Sequence, residues 1–126
     1  MQKQHVIPAV LFFALSIPVF AADLNCSIKA KDDKPAALQK MAKVTKAEAR
    51  KTALAAVKAS SKKVKSGKLE VEDGCLVYSF DIAVTGKSGV EEVLVDAGTG
   101  KVLSQEHETP AKEAAERAKD KVTPKK

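Results

Sequence analysis

Ten consecutive residues near the middle of the chain alternate between two sets of side chains, and this run constrains the fold more than any other feature. The apolar set is Leu76, Tyr78, Phe80, Ile82 and Val84. The intervening set is Cys75, Val77, Ser79, Asp81 and Ala83. Because successive side chains of a β-strand point to opposite faces, the alternation predicts a strand. We expect the apolar set to face the core and the second set to lie on the outer face.

Turn-forming residues on both sides of this run predict further antiparallel strands. Asp73-Gly74 is typical of a two-residue hairpin turn, and residues 68–72 before it alternate apolar and charged side chains. A second turn is expected at residues 85–89, followed by a third strand over 90–96 and a fourth over 101–105. Residues 60–67 are polar and contain three lysines, so they are predicted to be a connector.

A helix start is recognisable before the sheet. Thr45 and Glu48 have the spacing of a capping box, in which each side chain accepts a hydrogen bond from the other's backbone amide. The helix is expected to run to about residue 59, and a shorter, weakly held helix is predicted over 36–42. The apolar side of the helix that begins after Thr45 consists of Ala49, Ala53, Leu54, Ala56 and Val57. The predicted fold class is α+β, with one main N-terminal helix packed on a small three- to four-stranded antiparallel sheet.

The first residues have the composition of a secretory signal peptide. Residues 6–22 contain no charged side chain, and Val19-Phe20-Ala21 has small residues at the positions that a signal peptidase inspects. We expect residues 1–21 to be the signal and residues 22–43 to be a polar segment at the start of the mature protein. The alternative is an uncleaved anchor, although Pro8 and Pro18 interrupt a run that is short for a span of about 20 residues. The predicted location is periplasmic or secreted.

Export gives the two cysteines a specific meaning. Cys26 and Cys75 both lie in the predicted mature part, and an even count in an oxidising compartment indicates a disulfide. Such a bridge would hold the N-terminal segment across the sheet. The alternative is two free thiols, one half-buried in its strand and one in a loose segment. Metal binding is not expected, because His107 is the single histidine of the mature part and lies far from both cysteines.

The chain is basic, with a formal net charge of +6, of which Lys3 of the signal supplies one. Lysines are interspersed with acids and aromatic residues make up 4% of the chain, so nucleic acid is not an expected partner. Residues 106–126 form a basic, alanine-rich tail. Thr109-Pro110 is typical of a helix start, but an alanine face buries little area. The tail is predicted to be a solvated, fraying helix or disordered; the alternative is a helix that docks on a partner.

The run VLVDAGTGKVL, residues 93–103, contains a possible catalytic aspartate. Asp96-Ala97-Gly98 resembles the loop of an aspartic protease, which needs two carboxylates braced by Thr or Ser hydroxyls. Here Ala97 replaces the hydroxyl residue, and only one predicted strand follows to build a substrate cleft. We therefore reject this interpretation.

The same run also contains a possible phosphate loop. Gly98-Thr99-Gly100-Lys101 would need a glycine where Val95 stands and a hydroxyl residue where Val102 stands. It also lies between strands and not before a helix. The remaining interpretation is a tight turn, capped by Asp96, in which Gly98 and Gly100 adopt φ values that other residues resist.

Other catalytic constellations are equally poor. A Ser-His-Asp triad would have to use His107, next to the tail. The pairs Glu70/Glu72 and Glu91/Glu92 are interpreted as solvent-facing strand positions with no aromatic groove to hold a sugar. We predict no enzyme, no catalytic residues, no metal ligands and no cofactor.

The order of elements over residues 44–103 resembles a PepSY domain. The matching segments are "TKAEARKTAL" for the helix, "GKLEVEDGCLVYSFDI" for the first hairpin and "VEEVLVDAGTGKVL" for the closing one. The resemblance implies a folded domain over residues 44–105, consisting of a helix on a small antiparallel sheet. It also implies an exported or membrane-linked protein. Similar domains occur in the propeptides of thermolysin-like metallopeptidases, where they are associated with keeping the protease inactive, and as stand-alone exported proteins.

Two functional hypotheses follow. In the first, the chain is a non-catalytic exported module that binds a protein partner, plausibly a peptidase whose activity it regulates. In the second, it is a structural, envelope-associated protein whose lysine-rich segments, residues 29–63 and 112–126, contact anionic lipid or polysaccharide. The partner-binding residues and the oligomeric state are not predicted.

Overall fold

The computed structural model describes residues 24–31 and 34–122, so the predicted signal peptide lies outside the described residues. The described residues form a four-stranded antiparallel sheet and three helices, an α+β fold as predicted. In chain order the elements are α1 (Pro35–Met41), α2 (Lys46–Ala56), β1 (Lys62–Glu72), β2 (Cys75–Val84), β3 (Val90–Asp96), β4 (Val102–Glu108) and α3 (Pro110–Val122). None of the described helices has both the length and the apolar character needed to cross a membrane.

The sheet is a meander in which each strand pairs with the next along the chain, in the order β1-β2-β3-β4. The predicted hairpin turn is present, with φ of 48° at Asp73 and 76° at Gly74. Positive φ at both central residues matches the twist of the flanking strands, and Asp-Gly tolerates it. Glu72 and Cys75 therefore face each other, and this pairing sets the register of the hairpin.

Three predicted boundaries are wrong. β1 begins at Lys62 instead of residue 68, because Lys62 and its neighbours pair with the end of β2 before a bulge between Val64 and Ser66 shifts the register. The bulge breaks the alternation that would have revealed the strand. α2 ends at Ala56, three residues early, and β4 continues to Glu108.

The Lys62 side chain marks the end of α2. Its ammonium group donates to the carbonyl oxygens of Leu54, at 2.6 Å, and Val57, at 2.7 Å. A helix leaves its last carbonyls without partners, and a cation there also interacts favourably with the helix dipole. A residue predicted to lie in a connector therefore joins β1 to the end of the helix.

The main core contains the predicted apolar face of β2. Its buried members from the helices are Leu38, Ala49, Ala53 and Val57, and those from the sheet and the β3–β4 turn are Leu76, Tyr78, Phe80, Ile82, Val93, Val95 and Ala97. Phe80 is fully buried. Its ring lies over Gly67 of β1, where an added Cβ would be 2.7 Å from ring carbons. Gly67 is therefore needed for contact with Phe80 and not for its φ.

The outer face of β2 is covered by the N-terminal segment, residues 24–31. The disulfide between Cys26 and Cys75 is present, with Cα atoms 5.9 Å apart, and no described cysteine is free. A second apolar cluster is built on this bridge from Val77, Leu94, Leu24 and Leu103. Val77 and Leu94 are buried as well as the main core is, so both faces of β2 exclude water along its first half.

α3 begins where the sequence predicts a helix start. The Thr109 hydroxyl accepts from the Lys112 amide at 3.3 Å. The helix side chains that the structure describes, between Pro110 and Ala118, are all exposed. The residues of the tail up to Glu108 belong to β4 instead.

Candidate functional site

The β3–β4 turn contains the aspartate that suggested chemistry in the sequence. The Asp96 amide donates to the Lys101 carbonyl at 2.8 Å, and the Gly100 amide donates to the Asp96 carbonyl at 2.9 Å. One Asp96 carboxylate oxygen also accepts from the Gly98 amide at 2.8 Å. This is the tight turn that the sequence predicts, capped by Asp96.

The two glycines of this turn serve different purposes, and the prediction for one of them is wrong. Gly100 has φ of 75°, in the region that favours glycine. Gly98 is not in that region. A Cβ on Gly98 would instead collide with the Ser27 hydroxyl and lie 3.1 Å from Ile28 side-chain carbons. Gly98 is therefore small because the N-terminal segment packs against it.

The Asp96 carboxylate fastens the N-terminal segment to this turn. It accepts from the Ser27 amide at 2.8 Å and from the Ser27 hydroxyl at 2.7 Å. Burial alone would raise the pKa of Asp96, but hydrogen bonds from Gly98, Ser27 and Thr99 outweigh it, and the pKa is lowered. An ionised carboxylate with so many donors is a structural acceptor, which is the opposite of a catalytic aspartate that shares a proton.

His107 lies on β4 opposite Glu91 of β3, and the two side chains are 2.8 Å apart. The Glu91 side chain is only 15% exposed, so the prediction that this position faces solvent is wrong. Within residues 24–31 and 34–122, no serine or cysteine is hydrogen-bonded to the His107 ring. The contact joins two neighbouring strands and provides no activated nucleophile.

Three carboxylates meet on the outer face beyond the N-terminal segment, a cluster that the sequence reasoning missed. Asp81, Glu92 and Glu108 come from β2, β3 and β4, and one oxygen of each lies within 4.8 Å of the others. Glu108 is buried and the other two are half-buried. The register Asp81↔Glu92 was the signal that could have identified part of the cluster. Carboxylate oxygens at such spacing are ligands that hard cations accept.

Lysines already supply positive charge to this carboxylate cluster. The Lys112 ammonium lies 3.8 Å from Glu108 and 3.0 Å from Glu106. The hydrogen bond between Lys68 and Glu70 raises the pKa of Lys68 against the effect of burial. The charges of Asp81 and Glu92 raise this pKa further. The cluster is therefore part of a network of ion pairs.

A cavity of about 450 Å³ lies between α1, the residues that join α1 to α2, and the side chains of Leu69 on β1 and Tyr78 on β2. Its lining residues are Pro35, Gln39, Ala42, Lys43, Val44, Thr45, Lys46, Leu69 and Tyr78. The Tyr78 hydroxyl donates to the Val44 carbonyl at 2.7 Å, which fixes the ring as one wall. Burial raises the pKa of Tyr78, and the Glu48 charge raises it further. Tyr78 therefore stays protonated and is unsuited to act as a base.

The capping box next to this cavity is formed as predicted. The Thr45 hydroxyl accepts from the Glu48 amide at 3.2 Å, and the Thr45 amide donates to the Glu48 carboxylate at 2.8 Å. The Thr45 amide and the Thr45 hydroxyl both donate to the Glu48 carboxylate at 2.8 Å, and these two bonds lower the pKa of Glu48. The backbone amides of Thr45 and Glu48 at the start of α2 are therefore both hydrogen-bonded within the capping box.

The sequence matches one protein family, described as "Peptidase propeptide and YPEB domain" (PepSY), over residues 43–106. This range is a little over half of the chain. It contains α2, the first three strands and most of β4. None of the curated proteins and none of the solved structures compared with the chain matches it.

Proposed function

The chain belongs to the PepSY family, and from this premise we propose that it is an exported, non-catalytic module that binds a peptidase and lowers its activity. The observation that supports this most is the family match, which covers the sheet and α2. PepSY domains are generally propeptide or inhibitor modules, so a regulatory role is supported at the level of the family. The particular peptidase and its compartment are part of the proposal.

The chemistry of the described residues is compatible with binding. The Asp96 carboxylate accepts from four donors, the Glu108 carboxylate of the cluster lies 3.8 Å from the Lys112 ammonium group, and burial raises the pKa of Tyr78. Each candidate for proton transfer therefore has a structural task. The sheet edge and the cavity between the helices and β1 remain as surfaces on which a partner could dock.

Export is the second part of the proposal, with cleavage after Ala21. The disulfide supports it, because such bonds persist in oxidising compartments. The bridge also holds residues 24–31 against the sheet. PepSY domains occur in exported proteins.

A second candidate function rests on exposed lysines. Lys31, Lys40, Lys43, Lys51 and Lys58 are all exposed, and such a distribution would attract anionic lipid or polysaccharide. Attraction through scattered surface charges weakens strongly with salt, since the screening length falls to about 3 Å at 1 M. Salt therefore separates the two candidates.

The test is an inhibition assay with the disulfide-bonded mature chain, residues 22–126. It is added to purified thermolysin-like metallopeptidases while hydrolysis of a fluorogenic peptide is recorded at 0.15 and 0.5 M NaCl. We expect saturable loss of activity with at least one enzyme at both salt concentrations, with the added chain intact by mass spectrometry.

The control is binding to anionic and neutral lipid vesicles under the same two conditions. Binding to anionic vesicles at low salt, with no effect on any peptidase, would reject the proposal in favour of the envelope role. Progressive cleavage of the chain in step with the loss of signal would show a competing substrate and would also reject it.

A further inference from the structure

β1 presents an unpaired backbone edge over its second half. No described strand pairs with β1 on the side away from β2. Glu72 and Cys75 flank a two-residue turn, so their backbone groups are hydrogen-bonded to each other. Because hydrogen-bonded and non-hydrogen-bonded pairs alternate along the two strands, every second residue of β1 directs its N–H and C=O away from β2. These residues are Gly67, Leu69 and Val71. None of them makes a backbone hydrogen bond to another described element.

The cavity between the helices and β1 opens beside this edge. Leu69 belongs both to the edge and to the cavity wall, and it pairs across the strands with Tyr78, another wall residue. A further strand added to β1 would place one side chain opposite Leu69, with Cβ atoms about 5 Å apart. That side chain would lie on the face where the cavity opens. The adjoining wall combines the apolar residues Pro35, Ala42 and Val44 with four polar residues.

Positive charge surrounds the same edge. Four exposed lysines lie on β1 or around the cavity: Lys43, Lys46, Lys63 and Lys65. The Lys46 Cε is 3.4 Å from where a Cβ on Gly67 would lie, so its side chain reaches the strand at Gly67. Within the described part of the chain these four form no ion pair, whereas Lys68 is paired with Glu70. Their charges are therefore available to a bound segment.

We infer that an extended, acidic segment of a protein partner adds to the β1 edge as a fifth strand and places one apolar side chain in the adjacent cavity. In strand addition, main-chain hydrogen bonds supply affinity and pockets for alternate side chains supply specificity. Here the cavity selects an apolar residue, and the lysines select acidic residues on either side of it. The inference depends on the proposed function in one respect, which is that the chain binds a protein partner.

The opposite edge of the sheet differs in charge and in access. β4 carries Glu106 and Glu108 and leads directly into α3 at Pro110. β1 also carries two glutamates, Glu70 and Glu72, so the difference in charge between the two edges lies in the lysines around β1. A second copy could in principle place its β4 against β1, but such a contact is heterologous and would extend into an open chain of molecules. Self-association is therefore a separate outcome in the test.

The probe is an acetylated nine-residue peptide of threonines and valines with one central leucine and two glutamates at alternate positions. Binding to the disulfide-bonded chain is measured by fluorescence anisotropy at 0.15 M NaCl. Amide hydrogen exchange is followed by NMR in the same complex. We expect saturable binding and at least tenfold slower exchange of the Gly67, Leu69 and Val71 amides, because each becomes hydrogen-bonded.

Two variants with equal charge change separate edge recognition from general attraction. Lys63→Glu with Lys65→Glu should weaken binding about tenfold, since two favourable contacts become unfavourable. Lys51→Glu with Lys87→Glu, two exposed positions away from the edge, should change it less than threefold. Replacing the peptide's leucine by glycine should also weaken binding about tenfold, without altering the protein.

The inference is overturned if the peptide does not bind, if it binds without slowing these three amides, or if both variants lose affinity equally. It is also overturned if the amides slow with protein concentration alone and sedimentation shows self-association. Failure of the proposed function looks different: the peptide would bind at the edge while no peptidase is inhibited. Inhibition of a peptidase with unchanged exchange at β1 would reject the inference alone.

Discussion

Residues 24–31 and α3 both flank the sheet, but only the first is built into the fold. The N-terminal segment is joined to β2 by a disulfide, to the β3–β4 turn by the Asp96 carboxylate, and to the backbone through Leu76 and Gly74. α3 is attached by the chain and by ion pairs of Lys112, and its described side chains are exposed. Most of the N-terminal segment's attachment is to residues distant in sequence, which fixes it against the sheet.

The folded unit therefore extends beyond the residues that the family model matches. The match begins at residue 43, whereas covalent and polar contacts extend the fold back to the segment around Cys26. At the other end the match stops at residue 106, within β4. The N-terminal segment packs on Val77 of β2 and Leu94 of β3, on the outer face of the sheet.

Phe80→Ala is expected to cause the largest loss in the free energy of unfolding. Phe80 is fully buried between Gly67 and the core, and truncation of a buried aromatic residue costs about 3–5 kcal/mol. Urea unfolding of the oxidised protein measures it. A loss below about 1 kcal/mol would mean that the face assigned to the core is not packed.

Removing the disulfide should have the next largest effect. Cys26→Ser with Cys75→Ser should lower the free energy of unfolding by about 3–4 kcal/mol, because the bridge closes a loop across 49 positions. Reduction of the unmutated protein is the matched control and should give a similar loss. A negligible change in both would show that the N-terminal segment contributes little.

Asp96→Ala should destabilise by about 2–3 kcal/mol at pH 7, since it leaves the Ser27 and Gly98 amides without their charged acceptor. The folded-state pKa of Asp96 is lowered. Its contribution is therefore present above the unfolded-state value, near 4, and is lost as the pH falls through the folded-state value.

Urea unfolding between pH 7 and pH 2 tests this sign. The difference between the unmutated protein and Asp96→Asn should shrink at acid pH. A difference that stays constant over this range would contradict the assignment of Asp96 as an ionised acceptor.

The two turn glycines offer a smaller test. Gly98→Ala should cost about 1–3 kcal/mol by displacing the Ser27 hydroxyl, and Gly100→Ala about 1–2 kcal/mol through its positive φ. Only the first should be relieved when Ser27→Gly is added. A double-mutant cycle that shows no coupling between positions 27 and 98 would mean that Ser27 does not restrict the side chain at position 98.

Removing residues 113–126 should have the smallest effect, below about 0.5 kcal/mol, because the described side chains of this stretch are exposed. Lys112 is kept, since its ammonium group lies 3.8 Å from the buried Glu108 carboxylate. Thermal unfolding of the shortened chain checks it. A fall of many degrees in the melting temperature would show that α3 packs on the sheet.

Local patterns in the sequence predicted the central parts of the fold. The alternation of β2, the capping box of Thr45 and the Asp-Gly turn each act over a few residues, so one segment suffices to recognise them. β1 escaped recognition over its first half because a bulge at Lys65 interrupts the period of two. The role of Lys62 at the end of α2 was hidden for the same reason.

The parts of the site that could not be predicted are contacts between distant segments. Ser27 and Asp96 are 69 positions apart, and no local pattern announces that one will bind the other. The carboxylate cluster depends on the register of three strands, and β4 contains a shift after its first residue. The cysteine pair was predictable because two residues allow one connectivity.

We conclude that one folded unit extends from the N-terminal segment to β4 and leaves α3 outside. Amide hydrogen exchange of the oxidised protein tests it most directly. The Ala30 amide, which donates to Gly74 at 2.9 Å, should open with a free energy within about 1 kcal/mol of the Leu76 amide. The Ala114 and Ala115 amides should exchange within about tenfold of unfolded rates. Rapid exchange at Ala30, or α3 amides as slow as those of β2, would contradict the claim.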